Sequence, residues 1–230
     1  SRGEPLLFPD QITDYLHHLK EFNFPFIELQ TNGILLQKNK EKYDKYLRLW
    51  YEKGLTTITI SVVSHRPELN KKNYMQDNSD YINLPELIDY LHDLKFCVRL
   101  TCVCCKNMMD NSQEVAEFIK FAKENQVEQV TLRPVNDEYR RESAHLWILE
   151  NKLTDENKKD IKDYLEKNGT KLLELERIGT IYDVDGQNVL FSLPLTKYTR
   201  DTNPENLRNL IFFQDGHIRY EWEMEGGILL

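Results

Sequence analysis

Several short stretches hold the side chains best suited to chemistry. In Gly3-Glu4-Pro5 a residue without a side chain, a carboxylate and a proline follow one another. Glycine lets a ligand approach the backbone closely, and proline keeps a helix from starting one residue early. The stretch is therefore read as a strand exit that turns backbone groups toward a ligand. Thr31-Asn32-Gly33 ends an alternating run with turn residues. Ser61, Arg99 and Arg133 lie within three further strand-like runs. Hydroxyl, amide and guanidinium groups on successive strands fit a polar, anionic small ligand. No side chain is assigned as a catalytic acid, base or nucleophile.

The four cysteines, Cys97, Cys102, Cys104 and Cys105, lie close together in sequence. In an extended strand Cys102 and Cys104 point one way and Cys105 the other. They are expected to pack as small apolar residues rather than to share one ion. The histidines His17, His18, His65, His92, His145 and His217 show no pairing at ligand spacing with these thiols. No metal ligand is assigned within the chain. Cysteines crowded together, instead of spread to staple loops, point to a reducing compartment, and the expected location is the cytoplasm.

The elements that must position these groups follow a regular cadence. Ile12, Tyr15, Leu16, Leu19 and Phe22 mark one helical face, with Pro25 as its stop. Phe26-Ile27-Glu28-Leu29-Gln30 alternates as a strand. A helix with Tyr43, Tyr46, Leu47 and Trp50 ends at Gly54, a C-cap glycine. The strand Thr57 to Val63 is followed by a polar insertion from Ser64 to Asp80. Asn83-Leu84-Pro85-Glu86 and Asn111-Ser112-Gln113-Glu114 read as capping boxes on either side of a strand from Cys97 to Cys105. Val130 to Arg133 closes the series before Pro134. A helix from Thr154 to Asn168 comes next, then two Asp-Gly hairpin signals, Val184 to Gln187 and Gln214 to His217.

Alternating strands and helices predict an α/β fold, a parallel sheet or barrel over residues 1–150. A helix plus hairpins is expected over residues 151–230. Alternation splits each strand into two faces. Ile27, Leu29, Ile58, Ile60, Val62, Val98, Leu100, Val130 and Leu132 are expected to meet the helices. Glu28, Gln30, Asn32, Thr59, Ser61, Arg99, Thr101, Thr131 and Arg133 then share the other face. Branched apolar residues normally fill a barrel interior. Burying two unpaired arginines would cost several kcal/mol each. A polar ligand on this face is one answer, and pairing of Glu28 with one arginine is another. The substrate is expected to enter near the insertion after Ser64 and the C-terminal hairpins, where Tyr220 and Trp222 are candidate lining residues.

The chain has 230 residues and a net charge of −8, which disfavours a broad nucleic-acid surface. No apolar run reaches membrane-spanning length, and no signal-like region opens the sequence.

With these residues in order, the sequence resembles the radical S-adenosylmethionine (radical SAM) superfamily, nearest to its molybdenum-cofactor-biosynthesis-like branch. Ser1-Arg2-Gly3-Glu4-Pro5-Leu6-Leu7 is similar to the Gly-Gly-Glu-Pro motif of that family, with Arg2 in place of the first glycine. Gln30-Thr31-Asn32-Gly33 resembles its Thr-Asn-Gly strand end. Ser61, Arg99 and Arg133 fall on the strands that follow. The resemblance covers roughly residues 1 to 135 and implies a partial (β/α)6 barrel with a C-terminal β-hairpin extension, a TIM-barrel-like oxidoreductase. It further implies that a [4Fe-4S] iron-sulfur cluster cleaves SAM reductively, giving a deoxyadenosyl radical that abstracts hydrogen from a small molecule or peptide. By the same resemblance Gly3, Glu4, Pro5, Thr31, Asn32, Gly33, Ser61, Arg99 and Arg133 would bind SAM. The electron donor would be a flavodoxin or ferredoxin. The cluster's Cys-x-x-x-Cys-x-x-Cys loop belongs upstream of the first motif, so its ligands are expected before Ser1, and this chain alone is expected to be inactive. The rival expectations are a cluster-less barrel that binds a small anion or a protein, and an unrelated α/β enzyme with Glu28 as base.

Overall fold

The structure is a computed structural model that describes residues 3–75, 80–135, 142–175, 178–192, 210–213 and 216–219, with the side chains of 142–145 excepted. Tyr220, Trp222, Arg2 and the Gln214-Asp215 half of the second hairpin turn lie outside the described residues. The chain divides into a unit of Ser1–Pro194 and a unit of Leu195–Leu230.

In the first unit, a 3₁₀ turn at Pro5–Leu7 leads into α1 (Pro9–Leu19), then β1 (Glu28–Thr31), α2 (Ile34–Lys38) and α3 (Lys40–Glu52). Next come β2 (Thr57–Val62), α4 (Pro67–Tyr74), α5 (Leu84–Asp93), β3 (Cys97–Cys104), α6 (Ser112–Glu124) and β4 (Gln129–Pro134). The unit is completed by α7 (Glu142–Asn151), α8 (Asp155–Asn168), β5 (Thr170–Leu175), β6 (Gly179–Val184) and β7 (Gln187–Ser192). In the second unit β8 (Ile211–Phe212) and β9 (Ile218–Arg219) pair antiparallel, with Gly216 in the left-handed region between them.

The expected α/β class is observed. Seven strands form one open sheet in the order β1-β2-β3-β4-β7-β6-β5. The pairs from β1 to β4 are parallel, β7 runs parallel to β4, and β6 and β5 return antiparallel. The Asp185-Gly186 turn works as its residue types predict. Both residues have positive φ, 51° and 83°, as a type I′ turn requires. The resulting hairpin carries β7 to the edge of β4, so the segment after residue 150 extends the parallel sheet.

The helix-facing side is apolar, as the alternation predicts. Ile58, Ile60, Val62, Val98, Leu100, Val130 and Leu132 are buried in one core with Leu47 and Trp50 of α3, Leu87 and Leu91 of α5, and Phe118 of α6. Val189 of β7 and Ile161 and Leu165 of α8 belong to the same core. Each buried branched side chain contributes about 1.5–3 kcal/mol through apolar area removed from water.

Local departures have local causes. The first helix ends at Leu19, and the 3₁₀ turn that follows it (Lys20–Phe22) stops at Asn23, whose φ of 49° is left-handed, before Pro25 is reached. The first strand starts two residues later than its alternation suggests, because its ladder with β2 begins at Glu28↔Thr57. Asn83 and Asn111 both cap their helices through the N–H three residues on. The carboxylate of Glu114, expected to return to Asn111, instead pairs with Arg66 across to the segment before α4. Part of the polar insertion is helical. Asn70 of α4 is fully buried, accepts from the Val63 N–H at 2.9 Å and donates to the Ser64 carbonyl at 2.6 Å.

Candidate functional site

The face of β1–β4 turned away from the main core carries the polar residues. Register sets them in rows across the strands. One row is Gln30, Thr59, Arg99 and Gln129, since Gln30↔Thr59, Thr59↔Arg99 and Arg99↔Gln129 are partners. The next row is Ser61, Thr101 and Thr131. Parallel pairing with period-two side chains makes these rows unavoidable once the register is set.

Arg99 Nη1 reaches Glu28 Oε2 at 2.7 Å, and the two side chains are 29% and 30% exposed. The bridge crosses β2, because Glu28 is level with Thr57 and Thr57 with Cys97. Arg99 thus leans across the sheet toward β1 and toward the strand N-termini. Glu28 pairs with an arginine, as one expectation held, but on a half-open polar face rather than in a closed core. Gln30 Nε2 donates to Ser61 Oγ at 3.1 Å. Among the described residues, two buried atoms in the Arg99 row have no partner, Thr59 Oγ1 and Arg99 Nε. Thr59 is only 1% exposed. An unmet buried donor or acceptor costs about 1–3 kcal/mol, so this row is built to accept a further polar partner.

At the C-terminal end of β1, Glu4 organises the strand exit. One carboxylate oxygen accepts from Thr31 Oγ1 at 2.7 Å and from the Leu6 N–H at 3.1 Å. The other accepts from the Asn32 N–H at 3.0 Å. Thr31 Oγ1 in turn accepts from the Gly33 N–H, and Asn32 Oδ1 accepts from the Ile34 N–H. Glu4, Thr31 and Asn32 therefore hold two loops together with their own side chains. Tyr43 adds a third tie, its hydroxyl donating to the Leu6 carbonyl at 2.6 Å, while burial and then Glu4 push its phenol pKa up. Tyr43 reads in the sequence only as one apolar position of a helix face, so its hydroxyl carries no signal there.

The two motif glycines differ. Gly33 has φ +74°, and a Cβ would stand 2.9 Å from Leu87 Cδ2. The left-handed backbone demands glycine there, and a Cβ would also push the end of the Leu87 side chain aside. A Cβ on Gly3 would meet nothing within 4 Å, so the protein's own packing makes no such demand at Gly3. Pro5 opens the 3₁₀ turn. Arg133 is exposed on β4, beside Val103 in register, and has no hydrogen-bond or ion-pair partner among the described residues.

Beyond these rows the face becomes apolar. Val63, Cys105 and Met108 are buried in a second small core against Leu69 and Tyr74 of α4, with Val103 and Val135 beside them. The expected insertion thus ends as a cap over the β2–β4 end of the polar face. Burial raises the Tyr74 phenol to about 12, with smaller contributions from Cys102 and Cys105.

Cys102 and Cys104 lie in the main core with Leu100, as their register predicts. Burial holds the Cys102 thiol well above the usual range and lifts Cys105 to about 11. Iron-sulfur clusters need thiolates. These thiols are kept protonated and point to opposite faces, so they do not fit a cluster. Among the described residues no group of three His, Cys, Asp or Glu side chains is placed to hold a metal ion. Among them, too, no helix is long and apolar enough to cross a membrane.

No protein-family model and no curated protein matches the sequence. Among the solved structures similar to this chain are the following two. Streptococcus suis SuiB bound to S-adenosylmethionine aligns with 72% of the chain at 17% identity and a TM-score of 0.45. Methylornithine synthase (PylB) aligns with 54% at 11% identity and a TM-score of 0.35. The chain spans 34% and 42% of those two proteins.

Proposed function

We propose that the polar face of β1–β4 binds S-adenosylmethionine and that the chain is part of a radical SAM enzyme. The observation that carries this reading is the Glu28–Arg99 pair with the two unpartnered buried atoms beside it. A half-open ion pair presents one positive and one negative group side by side. An amino-acid end, with its carboxylate and ammonium, is the matching arrangement. Arg99 would hold the carboxylate, Glu28 the ammonium, and Thr59, Gln30 and Ser61 the neighbouring polar groups. At the strand exit, Glu4, Thr31 and Asn32 act by positioning. They fix the Gly3-Glu4-Pro5 backbone, where the absence of a side chain on Gly3 leaves room for close approach.

When bound and cleaved reductively, SAM supplies the hydrogen-abstracting radical of that superfamily. The residues of this chain bind and orient it, and α4 shields one end of the face from water. No cluster ligand is assigned to the described residues, so no step is drawn through a cluster. A cytoplasmic setting and a flavodoxin or ferredoxin donor belong to the same reading.

Equilibrium dialysis of the chain against labelled SAM tests it. Saturable binding is expected, weakened at least about tenfold by Arg99→Gln and by Thr59→Val, the cost of one polar contact each. Absence of saturable binding, or binding indifferent to Arg99→Gln, overturns the proposal.

A further inference from the structure

Two arginines share the polar face, and their electrostatic situations differ. Arg99 is neutralised by Glu28 at 2.7 Å and leans toward β1. Arg133 lies one strand further on and four residues beyond Gln129, the register partner of Arg99. Strand rise and spacing put the two Cα positions about 14 Å apart, with the Arg99 side chain directed away from Arg133. They cannot serve one small charged group together.

The lateral neighbours of Arg133 carry no charge. Val103 faces it on β3. On the other side Leu132↔Phe191 is the last registered pair, which leaves Ser192 at its level on β7. Among the described residues no carboxylate reaches it. Val103, its register partner, packs in the small apolar cluster with Val63, Val135, Leu69 and Tyr74. Arg133 itself is exposed, so an anion from solution can reach its guanidinium.

We propose that Arg133 is the point at which this face takes a net anionic group, a carboxylate or phosphate of the reaction's substrate. This rests on the SAM reading, in which Arg99 and Glu28 are occupied by the zwitterion. The division of labour follows from charge. The Glu28–Arg99 pair sums to zero and matches a zwitterion, while Arg133 meets no carboxylate among the described residues and matches an oxyanion.

The test is a titration of the ¹⁵N-labelled chain, following the arginine Nε–H resonances. Arg133 and Arg99 signals are identified by their loss in Arg133→Gln and Arg99→Gln. Inorganic phosphate and acetate are added separately at low salt, and SAM in a third series. A saturable shift of the Arg133 signal with phosphate or acetate is expected, the stronger of the two naming the oxyanion. Arg133→Gln should weaken that binding at least about tenfold, as loss of a charge-assisted contact does. Arg133→Lys should restore part of it. The proposal is overturned by an unmoved Arg133 signal, by Arg99 responding to the anions in its place, or by SAM itself saturating Arg133. Titration of Arg133 by phosphate in a chain that binds no SAM supports the anion site and overturns the SAM reading instead.

Discussion

The cysteines and Glu4 show how far a residue's chemistry depends on what surrounds it. Four thiols within a short stretch invite a metal reading, yet strand alternation sends Cys102 and Cys104 into the core, where burial holds the Cys102 thiol well above its usual range. Cys97 alone among the four is exposed. Its pKa is also raised, by burial of the sulfur and then by Glu128. A thiol-reactive reagent on the native protein is therefore expected to label Cys97 alone, slowly at pH 7 and faster toward pH 9. Cys102, Cys104 and Cys105 should react only on unfolding, since thiolate fraction and access govern the rate. Mass spectrometry of the labelled peptides checks this, and labelling of Cys102 in the native state would contradict the assigned packing. Glu4 was legible as a residue of interest from Gly-Glu-Pro. What its carboxylate does was not, because the partners at Thr31 and Asn32 are 27 and 28 residues away.

At the scale of elements, the strand exits are held by a few contacts that cannot be substituted cheaply. Gly33 turns β1 into α2 at φ +74° against Leu87 and Ile60. Gly33→Ala is expected to cost about 1–3 kcal/mol, from the left-handed backbone and from overpacking. Urea denaturation would read this as a lower midpoint, and SAM binding should fall with it as Asn32 shifts. An unchanged midpoint would mean that the turn relaxes freely. The helix α4 illustrates the reverse case. Its sequence is polar and reads as an insertion, and the buried bonds of Asn70 to both Val63 and Ser64 are what seat it. A polar residue satisfied in the interior leaves no periodic trace, so pattern reading passes over it.

At the scale of the whole molecule, His65 couples the β2–α4 connection to α6. Its ring lies near Phe118 and Phe121, and its Nε2 is 3.8 Å from Glu117. Desolvation, then Arg66, lowers its pKa below the usual 6.5, against the opposing pull of Glu114, Glu117 and Glu68. The unfolded chain then binds the proton more readily than the folded one. The stabilisation from neutral His65 is full above about pH 6.5 and is lost as pH falls from there through the lower folded value. His65→Gln should therefore flatten the fall in urea midpoint between pH 7.5 and 5.5. An equally steep fall in the variant would assign the acid sensitivity to other groups.

The sequence by itself determined the βα cadence, the helix caps at Asn83 and Asn111, the Asp185-Gly186 turn, and the division of each strand into an apolar and a polar face. All of these depend on neighbours within a few residues, where periodicity and backbone preference act directly. Tertiary structure alone decided that Glu28 meets Arg99 across an intervening strand, that Arg133 stands apart from them, and that β7 follows β4 in the sheet. Those facts depend on strand order and register, which bring residues tens of positions apart to a few ångströms. Local pattern carries no record of that distance.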